Sequence, residues 1–379
     1  MLLLIFTTIW FLTLFYFLYT LVKILLFRKI LDSEPKIREK YPYVSIIIPA
    51  RNEEHNIRRC ITSLLSQSYP GDRYKIIVVN DNSTDKTEEI IKELASVDKK
   101  IHLISKGEPR PGWTGKNSAC MEGAQEGVGD YFCFIDADTK SEFNLIEASV
   151  SFAEENSIDM LSVSPFQEIK SFTEKSLLPG VFLAIASSMN FKNINNPSKP
   201  EAVANGQFIM FKKTVYDEID GHGSVRSIVM EDIALAELIK KEGYRLFFIF
   251  GDNFISTRMY TKLSEIWEGF SKNISVIMKT KTVLTTFISS LKSLIIAMGP
   301  ILIPIFLQFD QNYSLYTLII YGTGLSSFLI LSFFSLKEMG VSPLYMIFFP
   351  VGFIFHGIIS LNCIFKQKKG QTTWKGRKY

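Results

Sequence analysis

Tyr74-Lys75-Ile76-Ile77-Val78-Val79-Asn80-Asp81-Asn82-Ser83-Thr84-Asp85 carries a β-branched apolar run straight into a polar turn that closes on acids. A short apolar run bounded by turn residues reads as a strand buried on both faces. Thr84 to Leu94 then reads as a helix. The same alternation stands upstream, where Val44 to Ile48 is a strand and Asn56 to Leu65 a helix. Ile101 to Ile104 and Tyr131 to Ile135 are further short strands. Strand and helix in strict succession predict an α/β fold, a mainly parallel sheet with crossover helices. Ligands of such sheets bind beyond the carboxyl ends of the strands.

Acidic residues collect at those ends. Asp81 follows one strand, Asp136 and Asp138 follow Cys133-Phe134-Ile135, and Glu231-Asp232 opens the helix Ile233 to Lys240. Neighbouring carboxylates are costly to desolvate, so a positive partner belongs between them. A divalent cation carrying a diphosphate fits, because hard oxygen ligands suit Mg2+ or Mn2+. Each piece alone has a plainer reading. Asp-Ala-Asp occurs by chance in loops, Asn80 to Asp85 makes a turn and helix cap, and Glu231-Asp232 makes an acidic first helical turn. The ordered set is more specific than any member.

Outside this region the chain is apolar. Hydrophobic residues make up 47% of it, and they crowd both ends. Met1 to Val22 has no charge and is followed by Lys23, Arg28 and Lys29. That reads as a retained membrane anchor over 1–28 with its charged end in the cytoplasm; a cleaved signal peptide would want a basic start and a small-residue cleavage site. Thr285 to Gln308, Ser314 to Phe334 and Pro343 to Phe365 are three candidate spans within 283–365, ahead of a basic tail over 366–379. Three spans after a cytoplasmic domain place that tail outside, whereas its charge asks for the inside; either one candidate span is interfacial or re-entrant, or the tail breaks the charge rule, and Leu263 to Thr285 and the proline-interrupted segment after it are the stretches expected to lie along the membrane. The net charge of +4 argues against nucleic-acid binding. Cys60, Cys120, Cys133 and Cys363 are too dispersed for a disulfide framework or zinc site and suit a reducing compartment.

The motifs also carry a resemblance. Ile48-Pro49-Ala50-Arg51-Asn52-Glu53-Glu54, Val79 to Asp85, Phe134-Ile135-Asp136-Ala137-Asp138 and Glu231-Asp232 resemble, in order, four motifs of the family 2 glycosyltransferases. The resemblance implies a GT-A domain over about 43–280, inverting transfer of a hexose from a UDP-sugar, and a divalent metal. It implies that Pro49, Ala50, Glu53 and Asp81 hold the base and ribose, that Asp136 touches the nucleoside side, that Asp138 ligates the metal, and that Asp232, beside Glu231, is the general base.

Lys116, in Gly112-Trp113-Thr114-Gly115-Lys116-Asn117, is a candidate cation for the diphosphate; an exposed loop lysine is the plainer reading. The stretch is not a P-loop, and no G-x-G-x-x-G occurs. Arg258 is a second candidate, its alternative an arginine at lipid headgroups. The Q-x-x-R-W motif of processive relatives is missing near it, which speaks against long-chain polysaccharide synthesis. Asn205-Gly206-Gln207-Phe208 and Gly221-His222-Gly223 correspond to the stretch that frames the acceptor in the family. Together with Trp374-Lys375-Gly376-Arg377-Lys378-Tyr379, these segments resemble a membrane-bound branch, the diaponeurosporenoate and hopene-associated glycosyltransferases. That implies a membrane lipid acceptor, with a carotenoid acid or another isoprenoid first. Ceramide-like, diacylglycerol and polyprenyl-phosphate acceptors, a short polysaccharide synthase, and a catalytically silent scaffold that binds sugar nucleotide remain alternatives.

Overall fold

A computed structural model describes residues 1–32, 40–109, 111–280, 282–309, 313–367, 373–374 and 377–378. The chain divides into two compact units. One comprises Arg28–Glu168 and Phe191–Met259; the other comprises Met1–Phe27, Ile169–Asn190 and Tyr260–Tyr379. Two stretches inside 43–280 thus pack with the apolar helices.

The Arg28–Glu168/Phe191–Met259 unit is built on a seven-stranded sheet. Its strands are β1 (Val44–Ala50), β2 (Tyr74–Asp81), β3 (Ile101–Lys106), β4 (Tyr131–Ile135), β6 (Met160–Ser164), β8 (Phe208–Lys212) and β9 (Leu246–Phe250), in the order β3-β2-β1-β4-β8-β6-β9. β1 pairs in parallel with β2 and β4, β2 with β3, and β6 with β9. β8 runs against both neighbours, β4 and β6. A smaller sheet joins β5 (Thr139–Ser141), β7 (Phe166–Gln167) and β10 (Ile255–Thr257) in the order β5-β10-β7.

The near-continuous apolar runs are explained by two cores, one on each face. Ile46, Ile48, Ile76, Val78, Cys133 and Ile135 enter one. Ile47, Ile77, Val79, Phe132 and Phe134 enter the other. Side chains alternate along a strand, so a strand covered on both faces needs apolar residues at every position. Helix Gly115–Gln125 lies so close to the sheet that a Cβ on Gly123 would stand 2.4 Å from Ile47 Cγ2. The expected strands and helices are present with small shifts: the first two helices run Ile57–Leu65 and Thr87–Val97, and β2 extends to Asp81 itself. The antiparallel β8 and the later strands β6 and β9 were not anticipated from the pattern.

Four helices in the other unit are long and apolar enough to cross a membrane: Leu2–Phe27, Val283–Phe309, Leu315–Glu338 and Pro343–Phe365. They coincide with the four expected spans. Helices Phe172–Ala186 and Leu263–Thr280 belong to the same unit. Trp10 organises it. Pro300 has no N–H, which leaves the Ile296 carbonyl without its helical donor. The Trp10 indole N–H donates to that carbonyl at 3.3 Å. The indole is fully buried against two glycines: a Cβ on Gly299 would stand 2.1 Å from Trp10, and one on Gly324 2.5 Å. Most of the basic tail lies outside the described residues.

Gly299→Val should therefore destabilise the full chain by about 1–3 kcal/mol, the usual cost of overpacking. Thermal unfolding in detergent measures this, and an unchanged midpoint would show that Trp10 has room to move.

Candidate active site

The loops after β1 and β2 are laced together. Asn52 and Asn82 adopt left-handed backbone, with φ 54 and 55, a region asparagine tolerates better than most residues. The Asn52 N–H donates to Ser83 Oγ at 3.0 Å, and the Thr84 N–H donates to Asn52 Oδ1 at 2.8 Å. The Glu53 N–H donates to Thr87 Oγ1, and the Glu54 N–H to Asp85 Oδ2. These bonds set Pro49 and the buried Ala50 at the end of β1, beside Asp81 at the end of β2. Asp81 is 4% exposed, and the Arg51 guanidinium stands 3.8 Å from its carboxylate and donates to its carbonyl. The Glu53 carboxylate accepts from Asn56 Nδ2 at 2.9 Å.

The Asp136–Asp138 turn between β4 and β5 is held by its backbone. The Asp136 N–H donates to the Gln207 carbonyl at 3.2 Å, and Thr139 donates to the Asp136 carbonyl through N–H and hydroxyl. The Asp138 carbonyl accepts from Arg59 at 2.9 Å and from the Thr257 hydroxyl at 3.3 Å. The turn cannot shift without breaking contacts to β8, β10 and helix Ile57–Leu65.

Lys116, in the first turn of helix Gly115–Gln125, is the hub. Its ammonium lies 2.7 Å from Asp136 Oδ1 and 2.9 Å from Glu231 Oε1. Glu231 and Asp232 occupy the first turn of helix Glu231–Lys241. The Gly206 N–H donates to Asp232 Oδ2 and the Ile233 N–H to Oδ1, both at 2.9 Å. A Cβ on Gly206 would press on Lys116 Nζ, Glu231 Oε1 and Asp232 Oδ2 together, at 3.0, 3.3 and 3.4 Å.

The charges divide the carboxylates. Burial pushes Asp232 up to about 6, Glu231 adds to this, and Lys116 opposes it. Burial also raises Glu231, but the Lys116 charge and hydrogen bond outweigh it and hold Glu231 below its ordinary value. Burial raises Asp136 despite Lys116, with Glu231 and Glu53 adding to it. Burial disfavours the Lys116 cation, yet Asp136 and Glu231 hold it well above the usual lysine range. One carboxylate is thus locked as an anion while its neighbour can exchange a proton near neutrality, the division an acid–base site requires.

The chain has counterparts among known proteins. Residues 45–220 match the family model described as "Glycosyl transferase family 2". Over these residues, a little under half of the chain, it is similar to that family. The chain is 28% identical over 236 residues to the 4,4'-diaponeurosporenoate glycosyltransferase of Staphylococcus haemolyticus, covering 62% of this chain and 61% of that one. It therefore spans about three fifths of that relative's length. It is 42% identical over 111 residues to the "Probable glycosyltransferase YdaM" of Bacillus subtilis, 28% of this chain and 26% of the other. The mannosyltransferase PcManGT from Pyrobaculum calidifontis, solved with GDP-Man and Mn2+, shares the GT-A fold at a TM-score of 0.54 and 15% identity, over 92% of this chain and 98% of that one.

Of the residues expected at the site, contacts join Lys116, Asp136, Glu231 and, through Gly206, Asp232. Arg258 lies half-buried just after β10 and follows Thr257, whose hydroxyl donates to the Asp138 carbonyl. His222 is a structural residue here: it is buried, packs on Phe134, and its Nδ1 is 2.8 Å from the Tyr216 hydroxyl. Burial pulls it down to about 4, so it is neutral at physiological pH. Arg51, Arg59 and Thr257 escaped the sequence reading. Arg51 stands inside a recognised motif, whereas nothing in the pattern singles out a helical arginine or a strand threonine.

The electrostatic division is open to carboxyl-resolved NMR titration of the full chain. Asp232 should be half-ionised at about pH 6. Lys116→Met removes the cation that favours the anion and should raise that midpoint; Glu231→Gln removes the neighbouring negative charge and should lower it. Midpoints that ignore both changes would show that the cluster is not coupled.

Proposed function

We propose that the chain transfers a hexose, with glucose first, from a UDP-hexose to a membrane lipid at the cytoplasmic face, with inversion at the anomeric carbon. The observation that carries this reading is Asp232, fixed by the Gly206 and Ile233 N–H groups beside the Lys116–Asp136–Glu231 cluster, at the carboxyl edge of the parallel strands. The family 2 match supports the reaction class. The diaponeurosporenoate relative supports an isoprenoid lipid acceptor such as a carotenoid acid, and the four apolar helices support a multi-pass chain. Lys23, Arg28 and Lys29 behind the first helix support a cytoplasmic domain.

Pro49, Ala50, Glu53 and Asp81 line the end of the sheet where a nucleoside would lie. The donor set at Asp138 and Asp136 is carboxylate oxygen, which fits Mg2+ or Mn2+. Among the described residues no three His, Cys, Asp or Glu side chains are placed to hold a metal by themselves. Such an ion, held by Asp138, would then share its coordination with the donor's phosphates and water, as Mg2+ commonly does. When bound it supplies Lewis-acid stabilisation to the leaving diphosphate. Lys116 and Arg258 are the cations of this chain assigned to the same leaving group.

The acceptor hydroxyl forms the new bond at the anomeric carbon as the bond to the diphosphate breaks on the opposite side. Asp232 takes the hydroxyl proton, and UDP leaves. Glu231, kept ionised by Lys116, stabilises the proton on Asp232 electrostatically. An acceptor that is already a carboxylate has no proton to give up and draws little on Asp232.

Membranes containing the chain, incubated with radiolabelled UDP-glucose and lipid extract, should yield a labelled lipid. With a hydroxyl acceptor, Asp232→Asn should lower turnover by about 10²–10⁴-fold with donor affinity kept. The wild-type rate should fall as pH drops through about 6, because protonated Asp232 cannot accept a proton. Donor binding without labelled product from any extract would favour the silent scaffold.

A further inference from the structure

Lys240 stands at the far end of the helix that opens with Glu231 and Asp232. Its ammonium is 3.5 Å from the Asn193 carbonyl, 3.1 Å from Asn196, 3.2 Å from Lys199 and 2.5 Å from Glu201. An ammonium has three N–H donors, so four carbonyls exceed what it can serve at once. Side chains complete the same loop. Asn195 donates to the Phe248 carbonyl at 2.9 Å and accepts the Phe248 N–H at 2.7 Å, while Asn193 Nδ2 donates to Glu201 Oε1 at 2.7 Å. A few residues beyond Glu201, the loop reaches Gly206, whose N–H holds Asp232. One helix is thus tied at both ends to one loop.

We propose that Lys240 is a positioning residue: by gathering the 193–201 carbonyls it sets the path of the chain to Gly206, and so the N–H that orients Asp232. Asp232's role as base rests on the reading above; the clamp and its test do not. Direct electrostatics are a poor alternative. Eight residues of helix separate Lys240 from Asp232, roughly 12 Å, which exceeds a physiological Debye length of about 8 Å. The groups that face Asp232 at close range are Glu231 and Lys116, with Asp136 across Lys116; Glu201 is the acid that faces Lys240. Lys241, exposed on the same turn, carries the same charge outside the clamp.

The test uses the full chain in detergent and reads Gly206 amide hydrogen exchange together with the Asp232 carboxyl titration. Lys240→Met should speed exchange at Gly206 by about tenfold or more, the scale of losing a hydrogen bond to a charged acceptor. It should also move the Asp232 midpoint above about 6, since the lost N–H favoured the anion. Lys241→Met should change neither. Should Lys240→Met fail to fold, Lys240→Gln, which keeps two donors on a shorter stem, should move both readouts the same way. Wild-type behaviour at both probes would overturn the proposal, as would an equal shift from Lys241→Met. Faster exchange across the whole unit with the Asp232 midpoint unmoved would reduce Lys240 to a strut and overturn it too.

Discussion

The ammonium of Lys116 between Asp136 and Glu231 is the contact on which the acidic cluster at the sheet edge depends. Carboxylates brought together at the edge of a sheet repel one another and lose hydration. A lysine at a helix start answers these costs locally, most for Glu231, which stays below its ordinary value, and incompletely for Asp136 and Asp232, which are raised. Asp232 is left outside the pairing, held by two backbone N–H groups, and its proton affinity rises. The difference between Glu231 and Asp232, adjacent in sequence and alike in chemistry, comes from which one the lysine reaches.

Much of this was legible in the chain because the parallel sheet needs apolar residues at every strand position. Val44 to Ile48 and Tyr74 to Val79 announce themselves, and the polar residues that break the runs mark the ligand edge. The long apolar helices were legible for the same reason on a longer scale. What stayed hidden depends on contacts between segments distant in sequence. β8 alternates no differently from a parallel strand, so its reversal leaves no local trace. Lys116 read as a loop cation for phosphate, and only the fold shows two carboxylates around it. Lys240 looks like any basic residue closing a helix.

The apolar unit follows another logic. Between helices this apolar, close packing and satisfied carbonyls are what hold one to the next. Trp10 supplies both, filling the space left by Gly299 and Gly324 and bonding the carbonyl that Pro300 abandons. Gly180 and Gly352 allow a similar approach, backbone against backbone: a Cβ on Gly352 would stand 2.4 Å from the Leu177 carbonyl oxygen. The prolines and glycines that look like helix breakers in the sequence are where these helices meet.

The reversal of β8 has a consequence for how such a domain diversifies. Because β8 runs against β4, its incoming end lies at the sheet edge where β1, β2 and β4 finish, with Phe208 opposite Ile135. The wall at Gly206, which holds Asp232, is therefore delivered by chain arriving at a strand, while the turns at Asn52 and Asn82 are delivered by chain departing from others. The two walls have separate sequence addresses. Insertions or exchanges before Phe208 can remodel one side of that edge while the turns at Asn52 and Asn82 stay untouched, so the two sides can vary independently.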